Sequence, residues 1–275
     1  MMNKKMLFSS ILALGAVFIW PTSLPSQDIM KSGWAAAPLN IDGVNDDWVE
    51  AAFSNIKNVN VDYAFRNDGK DLYLIMIFKD PKFLSSIEAT GIKIFFNMEG
   101  KKKKDRGLRF FRKMVKPDEF IASLEKKGQT VSEEEKAKLR AKSVYFMYDY
   151  ELLIRDKAQS PSAQQPGTEA PDLPKFRYKR AGTMTVYEFR IPLAVNDGQP
   201  AGIGAEPGKA VKFGFEWGGM TEEMKAARLK QLSGDESGVA GENFGRYVFS
   251  ASGGGSGPPK HDFWIDVKLS EKLTS

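Results

Sequence analysis

The sequence contains no cysteine and a single histidine, and these two shortages exclude several kinds of functional site. Without cysteine, the 275-residue chain has no disulfide framework, no thiolate metal site and no lipidated cysteine as a membrane anchor. One histidine also excludes a metal centre built on clustered histidines. An apolar core therefore has to hold the fold together, and 42% hydrophobic and 12% aromatic residues are sufficient for one.

Common catalytic motifs are missing as well. His261 stands between a Gly/Pro-rich stretch and an apolar segment, and no G-x-S-x-G motif accompanies it, so a serine hydrolase is not indicated. There is no P-loop, and Gly202-Ile203-Gly204 lacks the third glycine of a dinucleotide loop. Spacing does not exclude a pair of glycosidase carboxylates, because the two need not be near each other in sequence.

One apolar run approaches the length of a membrane span. Met6–Trp20 follows Lys4 and Lys5, but it falls short of the ~20 residues that a spanning helix needs. This pattern predicts an export signal over residues 1–27, which is either removed or kept as an N-terminal anchor. We expect a periplasmic or secreted protein whose contact with a membrane would be limited to an uncleaved N-terminal segment.

The charge balance argues against nucleic acid as a partner. The net charge is +5, and without residues 1–27 there are 38 basic and 35 acidic residues. Lys101–Lys116 departs from this balance, with nine basic residues and one acid interleaved with apolar side chains. Such a stretch suits anionic polysaccharide, phospholipid headgroups or nucleic acid, but we favour a hairpin with lysines at its tip and an amphipathic return strand.

Two strand patterns separated by a polar turn dominate the first half of the chain. The apolar residues of Val59–Phe65 alternate with smaller or polar ones, which predicts a strand with one face in a core. Leu72–Phe78 is apolar or aromatic throughout, which predicts a central strand buried on both faces. Asn67-Asp68-Gly69 tolerates positive φ, so the two strands should form a hairpin.

The remaining patterns complete a single domain. Two helical insertions are expected, at 117–142 with a capping box from Ser132 to Glu135 and at 220–233, and a Pro-rich loop at 156–174 is expected to be flexible. Residues 28–38 are predicted to be a leader and 39–270 the domain. Further strands are predicted at Ile92–Phe96, Val144–Ile154, Phe176–Arg180, Thr183–Ile191, Val211–Trp217, Arg246–Ser250 and Asp262–Leu269.

Three motifs in this order carry a resemblance to a known family. They are Ile41-Asp42-Gly43 followed by Trp48, Leu72-Tyr73-Leu74 followed by Asp80, and Tyr187–Leu193. Together they resemble the family 9 carbohydrate-binding modules and their DOMON-type relatives, over most of Leu39–Leu269. The resemblance implies an all-β protein, an antiparallel sandwich of jelly-roll or immunoglobulin-like type, with no catalytic activity. It also implies a glycan held between aromatic rings at the sandwich edge.

Tryptophans are the residues that we expect to bind the glycan. Sugars present apolar C–H faces that lie flat on indole rings, while polar side chains bind their hydroxyls. Trp217 and Trp264 each close or interrupt an alternating strand, so their rings are candidates to face away from the core. The alternative is that both are core residues, and for Trp48, which lies next to a turn, core packing is the favoured interpretation.

Two further sites stay open at this stage. Asp42, Asn45 and Asp46 bring together enough oxygen atoms for calcium, although their spacing is not that of an EF-hand and turn formation also explains them. A haem-binding, DOMON-like electron-transfer subunit would need axial ligands, for which His261 with Met76 or Met98 are the candidates.

A third function is an envelope scaffold that uses the sandwich without any small ligand. The charged insertions would then dock partner proteins, because a fold alone does not determine a function. The glycan-binding protein remains the favoured interpretation, with no cofactor required.

Overall fold

The computed structural model describes residues 29–80, 84–126, 128–155, 157–159, 173–196, 199–220, 225–226 and 259–272. The predicted export signal, the strand predicted at Arg246–Ser250, and most of the predicted loop 156–174 and insertion 220–233 lie outside these residues.

The described strands form two sheets that pack as a sandwich, which confirms the predicted fold class. In chain order the strands are β1 (Met30–Lys31), β2 (Gly33–Trp34), β3 (Ser54–Ile56), β4 (Val61–Asn67), β5 (Asp71–Phe78), β6 (Ile92–Asn97), β7 (Arg106–Val115), β8 (Tyr145–Ile154), β9 (Lys157–Gln159), β10 (Lys175–Ala181), β11 (Met184–Pro192), β12 (Ala210–Trp217) and β13 (His261–Lys268). The first sheet has the order β1-β13-β12-β6-β7-β8-β9. The second has the order β10-β11-β5-β4-β2, with β3 also paired to β4.

The predicted hairpin of β4 and β5 is confirmed, and β5 is a central strand. It pairs with β4 along one edge and with β11 along the other, and its two faces contribute to two different apolar clusters, so it is buried on both faces as predicted. Likewise, β6 and β7 are antiparallel neighbours joined by residues 98–105, which include Lys101–Lys104, and this confirms the hairpin interpretation of the basic stretch. Since these pairings are local, alternation and turn residues are sufficient to specify them.

Apolar side chains pack in two layers. The main core lies between the sheets and takes the inward residues of β4, β5, β6, β7, β11, β12 and β13. A smaller cluster covers the outer face of the second sheet, where Ala35, Ile41 and Trp48 pack against Tyr73 and Ile75. The segment between β2 and β3 therefore acts as a third layer, and Trp48 is a core residue as expected.

Three α-helices decorate the described sandwich: α1 (Leu84–Thr90), α2 (Pro117–Lys126) and α3 (Glu133–Arg140). The helical pair α2 and α3 lies where the insertion 117–142 was predicted, and Ser132 and Glu135 form the expected capping box. The sequence patterns did not predict α1. None of the helices in the described part of the chain has the length and apolar character that crossing a bilayer requires.

The sandwich begins earlier than Leu39. Within the predicted leader, β1 runs parallel to β13 and β2 runs parallel to β4, so the chain crosses from one sheet to the other at Ser32. The Ser32 hydroxyl donates to the side-chain oxygen of Asn67, and the amide of Ser270 donates to both (2.9 and 2.8 Å). This buried polar network joins the two sheets at their shared edge.

Candidate functional site

Trp217 lies in the core between the sheets. Its side chain is 1% exposed and meets the rings of Phe78 and Phe263 edge-on, with centroids 5.6 and 5.5 Å away. A sugar cannot stack on a ring enclosed in this way, so the prediction for Trp217 is corrected to a core role. The reason is its position in β12, on the same face as Val211, Phe213 and Phe215.

Trp264 lies on the opposite, outer face of the first sheet and is half-buried. Its ring covers the backbone of Gly214, where an added Cβ would lie 2.7 to 2.8 Å from three of the ring atoms. The ring of Phe95 stacks beside it, with centroids 6.5 Å apart and planes inclined by 23°. Because the indole keeps some exposure, stacking of a sugar on Trp264 stays a prediction.

The turn at Asp42 is bound to a buried carboxylate of β11. The amides of Asp42 and Gly43 donate to Glu188 Oε2 (3.0 and 2.7 Å), and the indole N–H of Trp48 donates to Oε1 (2.8 Å). Burial raises the pKa of Glu188, although these three hydrogen bonds act in the opposite direction. Glu188 thus connects two of the motifs that carry the family resemblance.

The same turn explains the cluster of acidic residues considered for calcium. Asp42 accepts hydrogen bonds from the amide of Val44 (2.9 Å) and the side chain of Asn40 (2.8 Å), and Asp46 begins a short 3₁₀ helix that ends at Trp48. No three Asp, Glu or His side chains in the described residues are grouped closely enough to hold a metal ion. The geometry favours turn formation over a calcium site at Asp42, Asn45 and Asp46.

The residues considered as haem ligands lie in separate places. Met98 follows Asn97, which pairs with Lys212, whereas His261 pairs with Trp217 at the other end of β12. Five residues of strand separate these positions, which is about 17 Å at 3.4 Å per residue. Met76 is buried in β5 as part of the main core. The structure therefore favours core packing for Met76 and separates His261 from Met98.

Three lysines converge on Glu216 on the outer face of the first sheet. The ammonium groups of Lys93 and Lys260 lie 3.2 and 2.9 Å from its carboxylate, and Lys104 binds both Glu216 and Asp262. Burial alone would raise the pKa of Glu216, but the hydrogen bonds from Lys104 and Lys260 outweigh it and lower the pKa to about 2.

We expect Glu216 to make stability depend on pH in the acid range. Its pKa is depressed in the folded state, so its contribution is complete above the unfolded value of 4.5 and is lost as pH falls from 4.5 towards 2. Urea unfolding at pH 7, 4.5 and 3 should show the wild type losing about 2 kcal/mol more than Glu216→Gln over this range. Equal losses of stability in the wild type and in Glu216→Gln would show that Glu216 is not the source of the pH dependence.

A hollow with aromatic walls lies where β10 of the second sheet meets β7 of the first. It encloses about 220 Å³, counting the part that opens to solvent. Most of this volume is open to solvent, and the enclosed part has room for about one water-sized group, so a sugar ring would lie across its mouth and not inside it. We call this space the hollow, and its lining consists of Ile87, Glu88, Gly91, Phe110, Phe111, Arg112, Phe176, Tyr178 and Tyr187.

Polar groups are placed at the rim of the hollow. The Tyr178 hydroxyl donates to Glu88 Oε1 (3.3 Å), and Arg112 Nη2 lies 3.6 Å from the same oxygen. The Arg112 guanidinium also lies 5.2 Å from the centroid of the Tyr178 ring. Burial raises the pKa of Tyr178, so its hydroxyl remains a hydrogen-bond donor. The rim therefore offers a donor, an acceptor and a half-buried aromatic ring within one sugar's reach.

Tyr187 adds a polar group deeper in the hollow. Its side chain is 1% exposed and stacks on Tyr178 and Phe176, with ring centroids 4.8 and 5.8 Å apart. Among the described residues its hydroxyl has no hydrogen-bond partner. Burial raises the pKa of Tyr187 well above its usual value. The negative charge of Glu88 also raises this pKa, whereas the positive charge of Arg112 lowers it. A buried hydroxyl left unpaired costs about 1–3 kcal/mol, which a ligand in the hollow would recover.

No family model matches the sequence, and no curated protein matches it either. Solved structures similar to this chain include a family 9 carbohydrate-binding module from Caldicellulosiruptor kristjanssonii in complex with glucose. The two chains are 13% identical, with a TM-score of 0.35 over 71% of this chain and 80% of the module. The same kind of module in complex with cellotriose gives 12% identity and a TM-score of 0.33, over 71% and 78%. Values this low carry no argument about the site.

Sequence reasoning did not find the hollow, because its residues come from four separate elements. Glu88 lies on α1, Arg112 on β7, Tyr178 on β10 and Tyr187 on β11. The glycine at position 91 is the one local feature of the sequence that is related to the hollow. Gly91 has φ +70°, and an added Cβ would lie 2.5 Å from the carbonyl oxygen of Phe110. Only glycine lets the end of α1 approach β7 so closely.

Proposed function

We propose that this protein binds a glycan without catalysis, with one sugar ring across the mouth of the hollow beside Tyr178 and a sugar hydroxyl directed inwards. The observation that carries the proposal is the unpaired hydroxyl of Tyr187 inside an aromatic hollow whose rim bears Glu88 and Arg112. The apolar C–H face of a sugar stacks on an aromatic ring, and its hydroxyls bond to carboxylate, guanidinium and phenol groups. The sequence resemblance to family 9 carbohydrate-binding modules supports the same class of ligand.

The composition of the hollow favours binding over hydrolysis. Glycosidases use two carboxyl groups about 5 to 9.5 Å apart. Glu88 is the one acidic residue in the lining of the hollow, and it is engaged by Tyr178 and Arg112.

The proposal also places the protein outside the cytoplasm, in the periplasm or secreted. Its support is the basic start at Lys4 and Lys5 followed by the apolar run Met6–Trp20. In that location the protein would hold a glycan for other envelope proteins.

Substitutions in the hollow should separate binding from folding. We expect Tyr178→Ala to weaken glycan binding at least about tenfold through loss of the stacking surface. Tyr187→Phe should weaken it about threefold to tenfold while leaving the melting temperature equal or higher, because a buried unpaired hydroxyl is removed. Affinity can be measured by calorimetry with oligosaccharides selected from a glycan array, and folding by circular dichroism.

Trp264→Ala provides the matched test of the other candidate site. Loss of binding in Trp264→Ala with full binding in both tyrosine variants would place the site on the outer face and contradict the hollow. A folded wild-type protein that binds none of the arrayed glycans would contradict glycan binding altogether.

A further inference from the structure

The hollow continues along the β7–β8 hairpin. Met114 and Phe146 form a cross-strand pair, four residues along β7 and β8 from the pair of Phe110 and Tyr150. Since side chains two apart share a face of a strand, Met114 and Phe146 point to the same side as the core residue Phe110. They are 40% and 49% exposed, unlike the rest of that face. The inner face of this hairpin therefore emerges from the sandwich as an open surface.

Arg112 connects this surface to the hollow. Its guanidinium lies 4.0 Å from the centroid of the Phe146 ring and 5.2 Å from that of Tyr178, so it stands between the two rings. Arg177 of β10 stacks in the same way on the neighbouring Tyr148, 4.7 Å from its centroid. We call this surface the aromatic strip, and it consists of Tyr148, Tyr178, Phe146, Arg112 and Arg177.

The charges on the aromatic strip do not balance. Glu88, 3.6 Å from Arg112, is the carboxylate that the described ion pairs place there. The nearby Asp149 and Glu151 alternate with Tyr148 and Tyr150, so they lie on the outer face of the sheet. There they pair with Lys113 (2.8 Å) and Arg109 (3.2 Å). Arg112 thus has Glu88 as its partner, whereas no described ion pair joins Arg177 to a carboxylate.

Arg112 and Arg177 also have N–H donors available to bind an anion. A guanidinium has five N–H donors, and stacking on an aromatic ring fixes its plane while leaving the N–H edge available. The described hydrogen bond of Arg177 goes from Nη1 to the carbonyl of Phe176 (2.7 Å), which uses one donor. Carboxylate and sulfate groups match this planar fork with two parallel hydrogen bonds.

Building on the proposed function, we propose that the ligand is an acidic glycan longer than one sugar. One ring lies across the mouth of the hollow beside Tyr178, and a carboxylate or sulfate on the glycan binds Arg112 and Arg177. The next sugar lies along Phe146 and Met114. Neutral sugars would stack on the same rings but would bring no anion to Arg177, and Arg112 would keep Glu88 as its anionic partner.

The test compares acidic and neutral glycans with the full chain. The probes are oligogalacturonate for carboxylate, dextran sulfate for sulfate without carboxylate, xylo-oligosaccharide as a neutral chain, and poly-glutamate as an anion without sugar. At 150 mM salt we expect at least one acidic glycan to bind tenfold or more tightly than the neutral one. The arm that binds identifies which anion the site prefers.

Three variants locate the effect. Arg112→Gln and Arg177→Gln should each reduce the preference for the acidic glycan, and together they should abolish it. Neutral binding loses only the hydrogen bond from Arg112, so it should fall by less than acidic binding does. Lys113→Gln is the matched control, because it removes the same charge from the next residue of β7 on the opposite face. This control should bind like the wild type.

Each other outcome overturns a defined part of the proposal. Equal affinity for acidic and neutral glycans would overturn the acidic ligand and leave the glycan-binding function in place. Absence of binding to every glycan would overturn both. Equal binding of poly-glutamate, or an equal loss in Lys113→Gln, would show a general attraction of polyanions and overturn the site.

Discussion

Replacement of Glu188 by alanine is expected to lower the free energy of unfolding by about 3–5 kcal/mol. The carboxylate is 0% exposed and accepts hydrogen bonds from the amides of Asp42 and Gly43 and from the indole of Trp48. Alanine would leave these donors unpaired beneath the layer that covers the second sheet. Chemical denaturation followed by tryptophan fluorescence measures the change.

Glu188→Gln is the control for this prediction. Its amide oxygen still accepts from one side, but its amide nitrogen faces groups that are themselves donors. We expect a loss between zero and that of the alanine variant. An alanine variant within about 1 kcal/mol of the wild type would show that the turn at Asp42 is held by packing alone.

Trp217→Ala is expected to cost about 3–5 kcal/mol, the usual range for removing a large aromatic side chain from a core. Trp217 closes β12 and packs on Phe78 and Phe263, so its loss opens a cavity between the two sheets. The variant should show a lower urea midpoint with the same denaturant dependence.

Trp264→Ala is the comparison, since it removes the same side chain from the outer face of the same sheet. Because Trp264 is half-buried, we expect about half the loss of stability or less. Equal losses in the two variants would mean that the outer face around Phe95 and Gly214 is as tightly packed as the core.

The tryptophans show what the sequence could and could not predict. Alternation places Trp217 on the face of Val211, Phe213 and Phe215, and this signal was sufficient to predict its burial. The glycan-binding role predicted for Trp217 rested on its place at the end of the strand, and its burial contradicts that role. In β13 the same alternation correctly separates Trp264 from Phe263, Ile265 and Val267.

Local pairings were predictable, and distant ones were not. The hairpin of β4 and β5 follows from alternation and an Asn-Asp-Gly turn within one short stretch. The bond between Trp48 and Glu188 joins residues 140 positions apart, and that between Tyr178 and Glu88 joins residues 90 apart. Such contacts depend on how the sheets stack, which no local pattern encodes. The hollow therefore became visible only in the folded chain.

The polar network at Ser32 has a consequence for the order in which the protein folds. Ser32 and Ser270 are bonded across 238 positions. Whereas β2 can pair with the nearby β4, β1 has no strand partner until β13 has been synthesised. Contacts of such high sequence separation slow folding, because a long loop must close before they form. The segment that contains β1 is thus among the last to find its place.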